Sequence, residues 1–92
     1  MSGKKNTAFL IFQDNEDARP IIEAVEQDNP GVNIQYQPGM VRLERAGSLI
    51  VKRETVEELI GREWDVQEMH LVLISLAGNV DEDDDKFELS WG

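Results

Sequence analysis

The order of strand-like and helical patterns is the feature that most restricts the fold of this 92-residue chain. Thr7–Gln13 is rich in aromatic and branched residues and predicts a buried strand. Over residues 18–25 the apolar side chains recur at helical spacing, and Pro20 is tolerated because it falls in the first turn. A strand followed directly by an amphipathic helix is typical of a sheet with helices packed against it.

The rest of the chain repeats this order. Strand-like segments at 32–36, 40–44 and 49–52 read as a meander, with turns at Pro38-Gly39 and Gly47. The motif Thr55-x-x-Glu58 predicts a second helix with a capping box at its start, and Asp65-x-x-Glu68 predicts a further capped turn. Segments 70–76 and 87–91 are predicted to form the last strands. We therefore predict an α+β fold: a small single domain, residues 1–92, in which two β-α-β(-β) halves pack their helices on a mixed or antiparallel sheet. Residues 1–6 are expected to be flexible.

Composition restricts the partners and the chemistry. Nineteen acidic residues against nine basic ones give a net charge of −10, which argues against binding to nucleic acid or to an anionic membrane. The absence of cysteine excludes disulfides, thiolate metal sites and a catalytic thiol. No apolar run approaches the roughly 20 residues of a membrane span. We expect a cytoplasmic protein that holds no cofactor and no metal.

The acidic run 81–85 resembles a calcium-binding loop only in part. Asp81, Asp83 and Asp85 match the first three ligand positions, but Lys86 stands where the loop needs glycine. The twelfth position is Gly92 instead of a bidentate glutamate. A solvated acidic hairpin loop is the favoured interpretation, and a docking patch for a basic partner is the second.

His70 is the only histidine and could serve as a general base or a single metal ligand. Glu63 or Glu68 could assist it in acid–base chemistry, yet the pattern supplies no nucleophile beside them. A partly buried structural histidine is therefore favoured. The glycines occur singly, so no phosphate-binding loop is present.

Segment 71–76 is apolar on both faces and runs into the small residues Ala77 and Gly78. A strand of this kind needs cover on both sides. The cover comes either from the domain itself or in part from a partner protein, and composition does not decide between them.

Several motifs resemble the small regulatory (coupling, or effector) proteins of bacterial multicomponent di-iron monooxygenases, most closely the phenol hydroxylase regulatory component. The resemblance runs from Phe9 to Trp91 and rests on their order and spacing. The motifs are Asn15-Glu-Asp-x-Arg-Pro20, Ile22-Glu-Ala-Val-Glu26, Asp28-Asn-Pro30, Pro38-Gly-Met-Val41, Arg53-Glu-Thr-Val56, Gly61-Arg62, Leu73-Ile-Ser-Leu-Ala-Gly-Asn-Val80 and Phe87-x-Leu-Ser-Trp91.

The resemblance implies a cofactor-free α+β protein that docks on the large subunit of a di-iron hydroxylase. It would tune oxygen activation, active-site access and coupling, and would not itself be an enzyme. The implied partner-binding residues are, first, Ile74, Ser75, Leu76, Ala77, Gly78 and Asn79, and, second, Asn15 and Arg19. A small-molecule-sensing domain with a ferredoxin-like sheet is the alternative function, and an acid–base enzyme built on His70 is a third.

Overall fold

The computed structural model describes residues 7–90, so residues 1–6, Trp91 and Gly92 lie outside the described residues. Strands and helices follow one another in the predicted α+β order. They are β1 (Thr7–Gln13), α1 (Arg19–Asp28), β2 (Asn33–Gln37), β3 (Met40–Ala46), β4 (Ser48–Lys52), α2 (Arg53–Ile60), a 3₁₀ helix (Val66–Leu71), β5 (Leu73–Ala77), β6 (Asn79–Glu82) and β7 (Lys86–Ser90). No helix among residues 7–90 is long and apolar enough to cross a membrane.

The strands form two antiparallel sheets. One has the order β2-β3-β1-β5 and the other has the order β4-β7-β6. The predicted meander is wrong at its third strand, because β4 pairs with β7 and not with β3. The chain leaves the first sheet at Gly47, whose φ of 91° lies in the left-handed region that glycine adopts without strain.

The core lies between the sheets and the helices. Leu10 and Phe12 on β1 are fully buried, and Ile21 and Val25 of α1 are buried at helical spacing. Helix α1 packs against both β4 and α2. Each fully buried side chain of this size contributes roughly 1.5–3 kcal/mol through the hydrophobic effect, so this shared core fixes the helices on the sheets.

A buried asparagine joins α1 to β4. Asn29 is 2% exposed, and its side-chain amide donates hydrogen bonds to the backbone carbonyls of Val25 and Ile50, both at 2.8 Å. Its side-chain oxygen accepts from the amide of Ile50 at 2.9 Å. The asparagine thus pairs with the outer edge of β4 much as a neighbouring strand would.

The two predicted capping motifs differ in outcome. Asp65 and Glu68 form the predicted capping box of the 3₁₀ helix, with Asp65 accepting from Gln67 at 2.9 Å. The box predicted at Thr55 is wrong, because α2 begins earlier, at Arg53, and Thr55 is buried. The amide of Arg53 donates instead to the carbonyl of Asp85 at 2.9 Å, which satisfies the helix start from a neighbouring turn.

The predicted strand 70–76 is wrong in its first residues. The 3₁₀ helix continues through Leu71 and buries Met69, and β5 starts only at Leu73. The predicted acidic loop is also shorter than expected, because Asp81 and Glu82 belong to β6. Apolar content and charge pointed to the wrong local structure here, since tertiary packing decides both segments.

Candidate functional site

The first predicted partner-binding segment forms one long exposed edge. β5 is an edge strand of the first sheet, β6 is an edge strand of the second, and only Gly78 separates them. We call residues 73–82 the β5–β6 edge. On their outer side these strands pair with no other strand of residues 7–90. Edge strands of this kind present backbone donors and acceptors to other molecules.

Ile74 is the extra residue of a β-bulge in this edge. The register of β5 against β1 shifts there, because Ile11 pairs with Ser75 whereas Phe12 pairs with Leu73. The side chain of Ile74 is 48% exposed. Bulges redirect side chains and occur often at sheet edges and beside functional sites, so Ile74 is well placed for a contact.

The neighbouring residues of β5 divide between two faces. Ser75 and Ala77 pair with Ile11 and Phe9, on the face that points away from the core. Leu76 pairs with the buried Leu10 and packs against the core. The predicted segment is therefore not a single contact face, and Leu76 has a structural role.

Gly78 is also structural. Its φ is 135°, and a Cβ at this position would lie 2.9 Å from Cγ of Leu89. The chain can turn from one sheet to the other at this point only because the residue has no side chain. Asn79, the next residue, is exposed and pairs with Ser90 in the β6–β7 ladder.

The second predicted group lies in the turn that leads into α1. The side-chain oxygen of Asn15 accepts from the amide of Ala18 at 2.9 Å, and its amide donates to Gln13 at 3.1 Å. These bonds make Asn15 a turn-forming residue. Arg19 is exposed and lines a depression shared with Tyr36, whose side chain is 69% exposed.

The sequence does not predict a groove that lies between α1, α2 and the 3₁₀ helix. It has a volume of about 290 Å³, and Pro20, Ile60 and Leu71 are among the apolar residues that line it. We call it the Leu71 groove. Leu71 was predicted to lie in a buried strand but is 78% exposed. The capping box before Val66 was the available signal, because it predicts a helical turn in which Leu71 need not face the core.

His70 is not part of a catalytic constellation with Glu63 or Glu68. Its Nε2 lies 3.0 Å from a carboxylate oxygen of Glu82, and its ring meets Phe87 edge-on at 6.0 Å. Glu68 instead accepts from the amide of Asp65. His70 therefore ties the 3₁₀ helix to β6 as a structural residue, but it is exposed and not partly buried as predicted, with 45% of its side chain accessible.

The acidic hairpin is organised by its own backbone and by cations. Asp83 accepts from the amides of Asp85 and Lys86 at 2.8 and 3.0 Å, and these bonds hold the pKa of the Asp83 carboxyl below its usual value. The ammonium of Lys86 lies 3.8 Å from Asp83, and the guanidinium of Arg53 lies 3.4 Å from Asp85. Among residues 7–90 no group of three or more carboxylate or histidine side chains is arranged to hold a metal. The hairpin is a turn stabilised by hydrogen bonds and ion pairs.

Comparison with known proteins places this geometry in a family. The sequence model of the MmoB/DmpM family matches residues 6–90. The chain belongs to the MmoB/DmpM family. Among its relatives in this family is the stimulatory component DmpM of phenol 2-monooxygenase from Pseudomonas sp. (strain CF600). The two are 53% identical over 83 residues, which cover 90% of this chain and 92% of DmpM.

Solved structures share the fold of this chain. A chain in a structure of a phenol hydroxylase–regulatory protein complex matches with a TM-score of 0.91 at 53% identity, covering 94% of this chain and 99% of that one. A second structure of such a complex gives a TM-score of 0.87 at 50% identity, covering 92% and 99%. The soluble methane monooxygenase regulatory protein B matches with a TM-score of 0.75 over 100% of this chain and 70% of its own. At 20% identity this last likeness shows the fold alone.

Proposed function

We propose that this chain is the regulatory component of a phenol hydroxylase-type multicomponent monooxygenase. It binds the hydroxylase and stimulates it, and it carries out no chemistry of its own. The observation that carries the proposal is the end-to-end likeness to DmpM, a stimulatory component, together with the same fold in regulatory protein complexes. The acting unit is the whole chain as a single effector domain, and from its composition we place it in the cytoplasm.

A protein that stimulates the hydroxylase without taking part in the reaction must bind two conformations of the hydroxylase with different affinities. A regulatory protein shifts a conformational equilibrium of its partner only if it binds one conformation more tightly than the other. The available surface permits a specific complex. The protein exposes 5467 Å², and a standard interface takes roughly 800 Å² from each partner, about one-seventh of that surface.

For the contact with the hydroxylase we propose the β5–β6 edge, with the α1 entry at Asn15 and Arg19 as its neighbour. Ile74, Ser75 and Asn79 are exposed on this edge and are its contact residues. Three of the residues have structural roles that shape this surface: Leu76, Gly78 and Asn15. The remaining contact residues are Ala77 and Arg19. The two segments converge at one end of β1, where the amide of Gln13 donates to the carbonyl of Val72 at 2.8 Å.

The direct test is a titration of this protein into purified phenol hydroxylase and its reductase, recording hydroxylated product and oxygen uptake together. We expect the rate and the product formed per oxygen to rise and to saturate at a fixed ratio to hydroxylase. A flat response from the folded protein would refute the proposed function.

A matched pair of variants tests the location. Ser75→Arg places a long cation on the β5–β6 edge, and Asn33→Arg places the same group on β2, at the opposite edge of the same sheet. We expect Ser75→Arg to raise the concentration needed for half-maximal stimulation at least tenfold and Asn33→Arg to change it little. Equal effects of the two variants would exclude this edge as the contact.

The alternative, a small-molecule sensor, is distinguished by ligand binding to the isolated chain. A sensor melts at a higher temperature in the presence of its ligand because the ligand binds only the folded state. A regulatory component shows its effect only with the hydroxylase present.

A further inference from the structure

The Leu71 groove is lined by apolar and charged side chains, and one of the apolar ones is an exposed leucine. Leu71 is 78% exposed, the highest value among the large apolar side chains of residues 7–90 that are exposed. Pro20 of α1 and Ile60 of α2 also line it. Interface hot spots are apolar or aromatic anchors that fill pockets of this kind, and exposed apolar surface beside a pocket is typical of an interaction site.

The rim of the groove is acidic. Glu16 and Asp17 lie on the α1 side, and Glu68 lies on the side of the 3₁₀ helix. The only cation among the lining residues is Arg62, whose guanidinium is 3.7 Å from the carboxylate of Glu68 and is therefore already balanced. The remaining charge of Glu16 and Asp17 favours a partner that carries a lysine or arginine beside its apolar group.

The groove also lies where the two segments of the proposed interface converge. Leu71 leads through Val72 directly into β5, and Glu16 and Asp17 directly follow Asn15. Because the amide of Gln13 binds the carbonyl of Val72, the end of β1 holds these segments side by side. Ile74 and Asn15 are thus each within three residues of a residue that lines the groove.

We infer that the Leu71 groove receives an aliphatic or aromatic side chain of the hydroxylase, from a segment with a lysine or arginine next to it. This inference rests on the proposed function and deepens it. The volume of about 290 Å³ is just below the roughly 300–1,000 Å³ of small-molecule pockets, so the groove suits one or two side chains.

The test compares Leu71→Gln with Leu59→Gln. Leu59 is a partly exposed leucine of α2 that does not line the groove. Binding to purified hydroxylase is measured by calorimetry, and unfolding by urea confirms that both variants remain folded. Because Leu71 is exposed, its replacement should leave stability nearly unchanged. We expect Leu71→Gln to raise the Kd at least tenfold and Leu59→Gln to change it less than threefold.

The charge of the rim has a separate test. The double variant Glu16→Gln, Asp17→Gln removes two carboxylates, and we expect the Kd for hydroxylase to depend less on salt concentration than it does in the wild type. An unchanged salt dependence would contradict the basic neighbour that we assign to the partner.

The outcomes separate the two proposals. Wild-type stimulation together with unchanged binding by Leu71→Gln would overturn the groove inference and leave the proposed function standing. Absence of stimulation by the wild type would overturn the proposed function.

A further experiment tests whether the groove binds a small molecule instead. Phenol is added to the isolated protein while the NMR signal of the Trp64 indole, at the groove, is followed. A saturable shift, with normal hydroxylase binding by Leu71→Gln, would make the groove a small-molecule site and would also overturn the inference.

Discussion

Asn29 gives the sharpest prediction about stability, because one side chain satisfies backbone groups of both α1 and β4. Asn29→Ala removes its three hydrogen bonds, with Val25 and with the amide and carbonyl of Ile50. A buried polar group left without a partner costs about 1–3 kcal/mol. Ile50 is only half-buried, so water recovers part of this cost, and we expect a total loss of about 2–4 kcal/mol.

That loss is large for a domain of this size. Small domains are stable by about 5–15 kcal/mol, so the variant gives up a substantial fraction of its free energy of unfolding. With about 4–8 °C per kcal/mol for a domain of up to 100 residues, the melting temperature should fall by roughly 8–32 °C. Asn29→Asp should be at least as damaging at neutral pH, because its carboxylate faces two carbonyl oxygens.

The assay is urea unfolding followed by far-UV circular dichroism, with the midpoint and the slope m both fitted. Asn33→Ala is the matched control, since Asn33 is exposed and its amide is 3.5 Å from Glu44. We expect this control to lie within about 0.5 kcal/mol of the wild type. If Asn29→Ala lost less than about 1 kcal/mol, the reasoning from its hydrogen bonds would be refuted.

Three further predictions concern other local features. Gly78→Ala should lower the free energy of unfolding by about 2–4 kcal/mol in the same urea assay, because it combines backbone strain with a contact of 2.9 Å to Leu89. Near-wild-type stability would contradict the close packing of Gly78 against Leu89. Asp65→Ala removes the cap of the 3₁₀ helix and should cost about 1 kcal/mol in that assay. Asp83 should titrate below its usual pKa by NMR, and its contribution to stability, present at neutral pH, should disappear as the pH falls through that pKa; a normal pKa would contradict it.

The elements that the sequence predicted well are those in which local pattern and tertiary packing agree. β1 has the predicted bounds. The apolar residues selected by the helical spacing of 18–25 are all buried, although α1 itself begins one residue later, at Arg19. Gly61, directly after α2, takes the left-handed conformation typical of glycine at the end of a helix, with φ at 73°. At these positions the burial pattern and the backbone preference favour the same structure.

Pairing between distant segments could not be predicted in the same way. β4 pairs with β7, far along the chain, and nothing within either strand indicates this partner. The sequence did not predict β6 as a strand, because its residues are largely acidic and an exposed edge strand does not need apolar residues. The helix cap at Arg53 depends on Asp85 and so has no local signal.

The candidate site was predicted in part. The segment from Ile74 to Asn79 does lie on an exposed edge, but its division between two faces depends on the bulge at Ile74. The Leu71 groove is built from three separate segments, so no single stretch of sequence describes it. A site of that kind becomes visible only when the chain is folded.

The position of β5 has a consequence for how the protein is made. β5 lies in the second half of the chain, yet it completes the sheet to which β1 belongs, and Leu76 of β5 pairs with Leu10 of β1. Loops that close over so many residues form slowly. A chain emerging from the ribosome therefore cannot finish its first sheet until its last third has been synthesised, and a fragment ending before β5 would leave one side of β1 unpaired. The two halves of this fold must be completed together.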